Sequence, residues 1–488
     1  CAYFCTNEQT LKGIRTILFF FFLCGISLQF HAQQKIGVVL SGGGATGLVH
    51  IGVLKALEEN QIPIDYICGT SAGALVGSMY ACGWTPKEME AYATSPSFQM
   101  MTTGTIPSGR RYLYRESDPD ASMLALPFSP DSLLTTSIPM NVIRPRFLDV
   151  EMLRIMGVTG ALVGKDFNKL LVPFRCVASD VIHKKSVVFD SGDLNAAVRA
   201  SMTFPLYINP IKIDDIIYFD GGLYNNFPVN VLYNEFNPDF IIGCNVADNG
   251  VLPDEHNFIG LLDHMTRTPT DYSLPCPQGI LIQPKSNVGT FDFSKVQQAI
   301  DSGYFETMRL MDSLKKTILS RTDTALLNQR RAALKCHIDS KVISEINISF
   351  HEKKSPSYVS HSLMKARKQE PITWEQFENR YYRLYASQQI DYLYPTFNEK
   401  SDSSYTLDLY VRKAKPLLLS VGGHLSSRPV NSGYLGLTYR HMGRSAASLH
   451  AETYFGKFYG SVKGEVSVDI PSVFPISASS YFVMNRWD

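Results

Sequence analysis

From Lys35 to about Ser320, short apolar runs alternate with stretches of helical periodicity. Ile36-Gly37-Val38-Val39-Leu40 is apolar throughout, and Leu48, Ile51, Leu54 and Leu57 then recur at helical spacing between about Thr46 and Asn60. Tyr66-Ile67-Cys68 predicts the next strand and Ala72 to Ala81 the next helix. Later strands are expected at Val172 to Ala178, Ile216 to Phe219 and Phe240 to Asn245. Strands apolar on both faces and interleaved with helices predict an α/β fold with a parallel sheet covered on both sides. Between about Pro96 and Pro145 the periodicity weakens and Pro, Ser, Thr and Gly accumulate. A stretch of that length without clear elements reads as a functional cap, while an ordinary surface excursion explains it as well.

The pattern then changes twice. Ile343 to Phe350 alternates as a strand, Ser357 to Arg367 and Thr373 to Ala386 read as helices, and Asp391 to Phe397 and Tyr405 to Val411 return as strands, a small block over 341–414. Beyond Lys415 the period is two. Val462, Gly464, Val466, Val468 and Ile470 fall on one face, against Ser461, Lys463, Glu465, Ser467 and Asp469 on the other. Strands of about ten residues with this alternation and aromatic ends are the signature of an outer-membrane barrel, although a soluble sandwich shares the alternation. About five such strands fit between 415 and 488, fewer than the roughly eight that close a barrel. Together with a first residue that is Cys rather than Met, this gives the expectation of a fragment.

The N-terminus tilts the choice toward the membrane. Lys12 and Arg15 precede the apolar run Ile17 to Ile26, and Gln33, Gln34 and Lys35 follow, which reads as a secretory signal over 1–32 with cleavage after Ala32 and a bulky Phe30 at the −3 position. The expected organisation is signal 1–32, α/β unit 35–320, α+β module 341–414, and first barrel strands 415–488. Charge removes another class. With 46 Lys+Arg against 45 Asp+Glu and no basic run longer than a pair such as Arg330-Arg331, the chain lacks the footprint of a nucleic-acid binder. Of nine cysteines, Cys1, Cys5 and Cys24 leave with the signal. Cys68, Cys82, Cys176, Cys244, Cys276 and Cys336 form no CxxC pair and read as buried free thiols. No His/Cys cluster has metal-ligand spacing, so neither a metal nor another cofactor is expected.

Two glycine motifs sit at strand-to-helix turns. Ser41-Gly42-Gly43-Gly44-Ala45-Thr46-Gly47 satisfies G-x-G-x-x-G through Gly42, Gly44 and Gly47. A dinucleotide site would need an acidic residue at the carboxyl end of the second strand, and Asp65 stands at its start. What remains is a run of backbone N–H groups at a helix N-terminus, suited to negative charge. Gly69-Thr70-Ser71-Ala72-Gly73 matches G-x-S-x-G, in which small neighbours permit the strained turn that exposes a nucleophilic Oγ. A histidine partner is not evident. His50 lies within the first helix and reads as packing, His183 as an exposed turn, and His256, His264 and His337 lack an orienting carboxylate. Asp220, at the end of Ile216 to Phe219 and followed by Gly221-Gly222, is the alternative base.

These motifs resemble those of the patatin-like phospholipase family. Gly42-Gly43-Gly44, Gly69 to Gly73 and Asp220-Gly221-Gly222 occur in the family's order, supported by Val198-Arg199-Ala200-Ser201, Phe204-Pro205 and Asn225 to Val229. The resemblance covers about 35–320, with core motifs in 36–233. It implies a Ser71-Asp220 dyad without His, an oxyanion hole from Gly42, Gly43, Gly44 and Ala72, and acyl-ester lipid such as phospholipid as substrate. Gly47, Gly69, Gly73, Gly221 and Gly222 support the motifs. One departure is Thr46, where the family often has Arg or Lys. The downstream blocks resemble a POTRA module followed by an outer-membrane barrel, which implies export with the hydrolase either periplasmic or at the surface. On this reading Met123 to Pro145 covers the acyl chain. The competing classes are an exported lipid-binding or passenger domain without catalysis, and a thioesterase or protease built on the same nucleophile.

Overall fold

The apolar run at residues 36–40 is a fully buried strand within the largest sheet of the computed structural model, which describes residues 34–106, 109, 119–129, 143–247, 261, 264–275, 278–339, 342–351, 356–364, 371–400, 404–424, 427, 431–471 and 476–487. The expected signal over 1–32 lies outside the described residues. Strands in the first part of the chain are β1 (Ile36–Leu40), β2 (Tyr66–Thr70), β3 (Ser122–Phe128), β4 (Phe174–Asp180), β5 (Lys185–Phe189), β6 (Ile211–Ile213), β7 (Ile216–Asp220), β8 (Phe240–Cys244) and β9 (Gly279–Ile282). The main sheet runs β6-β7-β4-β2-β1-β8-β9, with β5 also paired to β4. Its centre is parallel, as the apolar strands predict, since β4, β2, β1, β8 and β9 run together. The flank is not: β5, β7 and β6 are antiparallel additions, so the sheet is mixed. Helices α1 (Val49–Glu59), α2 (Ala72–Ala81) and α3 (Leu194–Ser201) cover it. Every residue of α2 is buried, which its small and aliphatic sequence AGALVGSMYA allows.

A four-stranded sheet follows, ordered β11-β10-β13-β12, from β10 (Val342–Phe350), β11 (Ile372–Thr373), β12 (Ile390–Glu399) and β13 (Tyr405–Lys413). Helix α4 (Trp374–Ala386) packs on it. Its start is fixed by a capping box, in which Thr373 Oγ1 accepts from Gln376 N at 3.3 Å and Gln376 Oε1 accepts from Thr373 N at 3.4 Å. This unit seats on a helical run of the first, Arg146–Met152, Leu153–Gly157 and Val158–Leu162, whose middle segment is π-helical. Tyr381 Oη donates to Arg146 O at 3.1 Å, and the Arg146 guanidinium lies 4.6 Å from the Tyr385 ring centroid. The two units share one continuous apolar core.

The last sheet is antiparallel, β14 (Leu417–His424), β15 (Ser432–Met442), β16 (Ala446–Gly456), β17 (Tyr459–Ile470) and β18 (Ile476–Trp487), in the order β18-β17-β16-β15-β14-β3. Its sixth strand therefore comes from within the first unit. This corrects the first part of the expected cap over Met123 to Pro145: Ser122–Phe128 pairs with β14 at the end of the sheet, and 130–142 lie outside the described residues. Alternation of Leu124, Leu126 and Phe128 with Ala125 and Pro127 suits a strand, and the sheet end tolerates a proline that has no N–H to give.

Candidate active site

Ser71 stands where β2 turns into α2, in a backbone conformation (φ 53°, ψ −122°) that L-residues rarely adopt. Two close approaches impose this turn. A Cβ on Gly69 would lie 2.4 Å from Gly73 O, and one on Gly73 would lie 2.3 Å from Leu40 O, so the strand-to-helix corner closes only with glycine at both places. The turn is held from outside by Ser201 at the end of α3. Ser201 Oγ accepts from Ser71 N at 2.9 Å and donates to Val177 O at 2.6 Å.

Ser71 Oγ donates to Asp220 Oδ2 at 2.6 Å, and both side chains are nearly buried. The sequence singles out Asp220 because it ends an apolar strand as Ser71 does, but the geometry that joins them differs from that expectation. Strand β7 runs antiparallel to β4, and register brings the residues level: Thr70 pairs with Val177, and Asp220 pairs with the next residue, Ala178. Asp220 is anchored three ways, since Oδ1 accepts from Gly222 N at 2.8 Å, its own N–H donates to Thr203 O at 2.8 Å, and Oδ2 takes the serine proton donor. A Cβ on Gly221 would lie 2.1 Å from Val177 O, which is the steric reason for glycine after the Asp.

The glycine loop divides in function. Gly42 N–H donates to Asn226 O at 3.1 Å and Ala45 N–H to Thr290 O at 2.7 Å, so the Gly42 donor expected in the oxyanion hole is engaged within the protein. Gly43, Gly44 and Ala72 line the same cavity as Ser71. Gly44 has φ +59°, and a Cβ there would lie 2.3 Å from Thr290 O. Gly47 meets α2, where a Cβ would lie 2.4 Å from Ala72 Cβ. Thr46, at the position of the departure, donates from Oγ1 to Gly43 O at 2.6 Å.

The cavity measures about 290 Å³. Phe98, Met101, Leu148, Phe204, Tyr207 and Phe291 make much of its wall apolar. Among the described residues that line it, Arg267 is the cationic side chain and Asp220 the acidic one. The segment bearing Arg267 is tied to the Asp220 loop by Thr268 N to Leu223 O (2.6 Å) and Asn226 N to Thr270 Oγ1 (3.1 Å).

The remaining candidates separate from this centre. His50 is fully buried, with Nε2 2.8 Å from Ser41 O and Nδ1 3.1 Å from Cys244 Sγ, and burial pushes its pKa down to about 4. It supports the loop that carries Gly42 to Gly44. His183 is exposed and pairs with Asp180 Oδ2 at 2.6 Å, and Asp65 binds Ile36 N at 2.7 Å, at the edge of the sheet opposite Ser71. Cys68, Cys82, Cys176 and Cys244 are buried free thiols, and burial pushes the Cys82 thiol up to about 12. His256 and Cys276, and the side chains of Cys336 and His337, lie outside the described residues.

With this geometry in hand, residues 38–233 match the family described as Patatin-like phospholipase. That stretch is similar to patatin-like phospholipase domains. The chain is 30% identical over 216 residues to "Patatin-like phospholipase domain-containing protein ZK370.4" of Caenorhabditis elegans, a match covering 44% of this chain and 14% of that protein. It is 32% identical over 210 residues to "Lysophospholipase NTE1" of Mycosarcoma maydis (43% of this chain, 9% of that protein). It is 30% identical over 199 residues to "Uncharacterized NTE family protein Mb1092c" of Mycobacterium bovis (41% and 45%). The chain thus spans less than half the length of each of these relatives.

The residues without a role in the sequence reading are Ser201 and Thr203, which hold Ser71 and Asp220, and Arg267, which lies beyond the matched stretch. Ser201 was within reach of the sequence as part of Val198 to Ser201, but its partner is 130 residues away and no local pattern reports it.

Proposed function

We propose that the chain is a lipid acyl hydrolase of phospholipase A type. The observation that carries this reading is the 2.6 Å bond from Ser71 Oγ to Asp220 Oδ2 on the wall of a largely apolar cavity that also receives the glycine loop. Asp220 takes the proton of Ser71 as Oγ attacks the acyl carbonyl. The oxyanion forms against the N–H groups of Gly43, Gly44 and Ala72, at the N-terminus of α2, where one such donor contributes about 3–4 kcal/mol. Collapse expels the alcohol, which receives the proton from Asp220. A water molecule, giving its proton to Asp220, then attacks the acyl-enzyme, and Ser71 leaves with that proton as free fatty acid departs. The apolar wall suits the acyl chain and Arg267 gives the cavity one positive charge.

The reading extends to the rest of the chain. Residues 1–32 direct export, 341–414 serve as a POTRA-like adaptor, and 415–488 contribute strands to an outer-membrane barrel. Alternating faces in β15 to β17 and strands of 8 to 12 residues in β14 to β18 support the barrel assignment. The test is fatty-acid release from phospholipid vesicles by the purified chain, with covalent labelling by a fluorophosphonate. Ser71→Ala is expected to abolish both, and Asp220→Asn to lower release by at least about a hundredfold. Full release by Ser71→Ala would reject the mechanism, and a panel of ester, thioester and peptide substrates separates the lipase from the thioesterase and protease readings.

A further inference from the structure

Strand β3 belongs by sequence to the patatin-like domain and by pairing to the last sheet, and its fit there is close. Leu124 pairs with Val421, Leu126 with Leu419 and Phe128 with Leu417. Following the register across the sheet gives the row Leu124, Val421, Leu435, Thr453, Val462 and Met484, whose apolar members are 40–60% exposed. The alternate face carries polar groups joined to one another: Tyr434 Oη donates to Glu452 Oε2 at 3.0 Å, and His450 Nε2 lies 3.0 Å from the same oxygen. That network reaches the start of β3, since Tyr434 Oη also contacts Asp120 Oδ2 at 3.0 Å and Ala121 N donates to Tyr454 Oη at 3.2 Å. Gly422 fits the junction, because a Cβ there would lie 2.1 Å from Ala121 O. Among the described residues on either side of β3, Thr102 and Ile143 line the cavity.

Resting on the acyl-hydrolase and barrel readings above, we infer that β3 is a wall strand whose Leu124, Leu126 and Phe128 face bilayer acyl chains, so that the hydrolase cavity is tied to the membrane from which its lipid comes. A bilayer is the occupant because exposed aliphatic rows continue in register over six strands, four of them of 11 or 12 residues, near the length that crosses a hydrocarbon core. A patch of that extent is larger than soluble surfaces ordinarily carry.

The experiment places single cysteines at positions 124 to 128 of the whole chain in phosphatidylethanolamine–phosphatidylglycerol vesicles, attaches an environment-sensitive fluorophore, and quenches it with doxyl-labelled lipid. The unsubstituted chain serves as the labelling control. Quenching at 124, 126 and 128 is expected to exceed that at 125 and 127 by about threefold, following the two-residue period of a strand. Quenching without alternation, or at none of the five, overturns the inference. In a second arm Ala125→Cys and Ser420→Cys, which stand opposite each other, are expected to form an intrachain disulfide in vesicles. No link, or a link only between copies, overturns it too. Neither readout depends on turnover, so a chain that releases no fatty acid would refute the hydrolase reading while leaving the alternation to decide β3.

Discussion

Ser201→Ala tests the claim that the nucleophile is positioned from α3. The substitution removes one hydroxyl and strands two buried backbone groups, the Ser71 N–H (2.9 Å) and the Val177 carbonyl (2.6 Å). Each buried group left without a partner costs about 1–3 kcal/mol, so the variant should lose about 2–6 kcal/mol of stability, toward the lower end where the site relaxes. The second effect is on geometry. Ser71 sits at φ 53°, ψ −122°, a conformation costing about 1–3 kcal/mol that persists only where neighbours over-determine it. Without the Ser201 bond the turn can relax and shift Oγ, and a displacement of about 1 Å typically lowers kcat about a hundredfold with little change in KM. The assays are urea unfolding, the rate of fluorophosphonate labelling, and kcat with KM on a soluble ester. Ser78→Ala is the control, because Ser78 Oγ is also buried but bonds only within its own helix, to Leu75 O at 2.9 Å. It should cost about 1 kcal/mol and leave labelling unchanged. A Ser201→Ala protein that is destabilised yet labels at the wild-type rate would refute the positioning role and leave Ser201 a purely structural hydroxyl.

Gly44→Ala places a methyl group 2.3 Å from Thr290 O at φ +59°, so labelling and turnover should fall by at least about a hundredfold, the scale of one lost oxyanion donor, measured against the same soluble ester. Arg199→Met leaves Asp149 buried and unpaired, its 2.9 Å bond to Arg199 Nε gone, and should destabilise the fold by about 3–5 kcal/mol in urea unfolding. His50 is held neutral, with its pKa pushed down to about 4 from an ordinary value of 6.5. The unfolded chain therefore binds the extra proton first, and this residue's contribution is complete above pH 6.5 and lost as pH falls toward 4, by about 3 kcal/mol. Asp149, pushed up to about 6 by burial against the pull of Arg199, acts in the opposite direction between about pH 6 and 4, so wild-type unfolding alone does not isolate His50. The difference between wild type and His50→Gln does: it should move in the variant's favour by about 3 kcal/mol from pH 7 to pH 4, and a difference independent of pH would contradict the buried neutral histidine.

What the sequence reveals about this fold is what periodicity and local sterics encode. Helix α2 begins and ends where its pattern predicts, at Ala72 and Ala81, because small residues and the glycine corner leave few other conformations. Ser71 and Asp220 are legible for the same reason, each at the end of an apolar strand and flanked by glycine. The direction of β7 is not legible, since an apolar run of five residues looks the same in either orientation and only the pairing of Asp220 with Ala178 decides it. The engagement of Gly42 N–H by Asn226 O is hidden likewise, as it joins residues 184 positions apart in sequence. Ser122–Phe128 is the largest departure. In a Pro-rich stretch its alternation is too short to stand out, and its partner β14 lies almost 300 residues downstream.

The arrangement of α3 explains how Ser71 and Asp220 are held within 2.6 Å of each other. Ser201 holds the Ser71 N–H and, two residues on, the carbonyl of Thr203 accepts from the Asp220 N–H, so both members of the pair hang from the same short segment. Arg199, two residues before Ser201, fixes that segment from beneath through Asp149 Oδ1 at 2.9 Å and Asn209 O at 3.0 Å. Asp149 lies on the Arg146–Met152 helix, whose first residues take Tyr381 and Tyr382 of α4, so the unit of β10 to β13 and α4 packs against the element that carries Arg199's partner. A displacement of this segment therefore moves Ser71 and Asp220 together and leaves their 2.6 Å separation largely intact, whereas a displacement of the glycine loop moves Gly43 and Gly44 relative to both. The glycine loop is held by a separate set of bonds, through Ser41 and His50, from Gly42 N–H to Asn226 O and from Ala45 N–H to Thr290 O, so the distance from Gly43 and Gly44 to Ser71 is set by contacts that do not pass through α3.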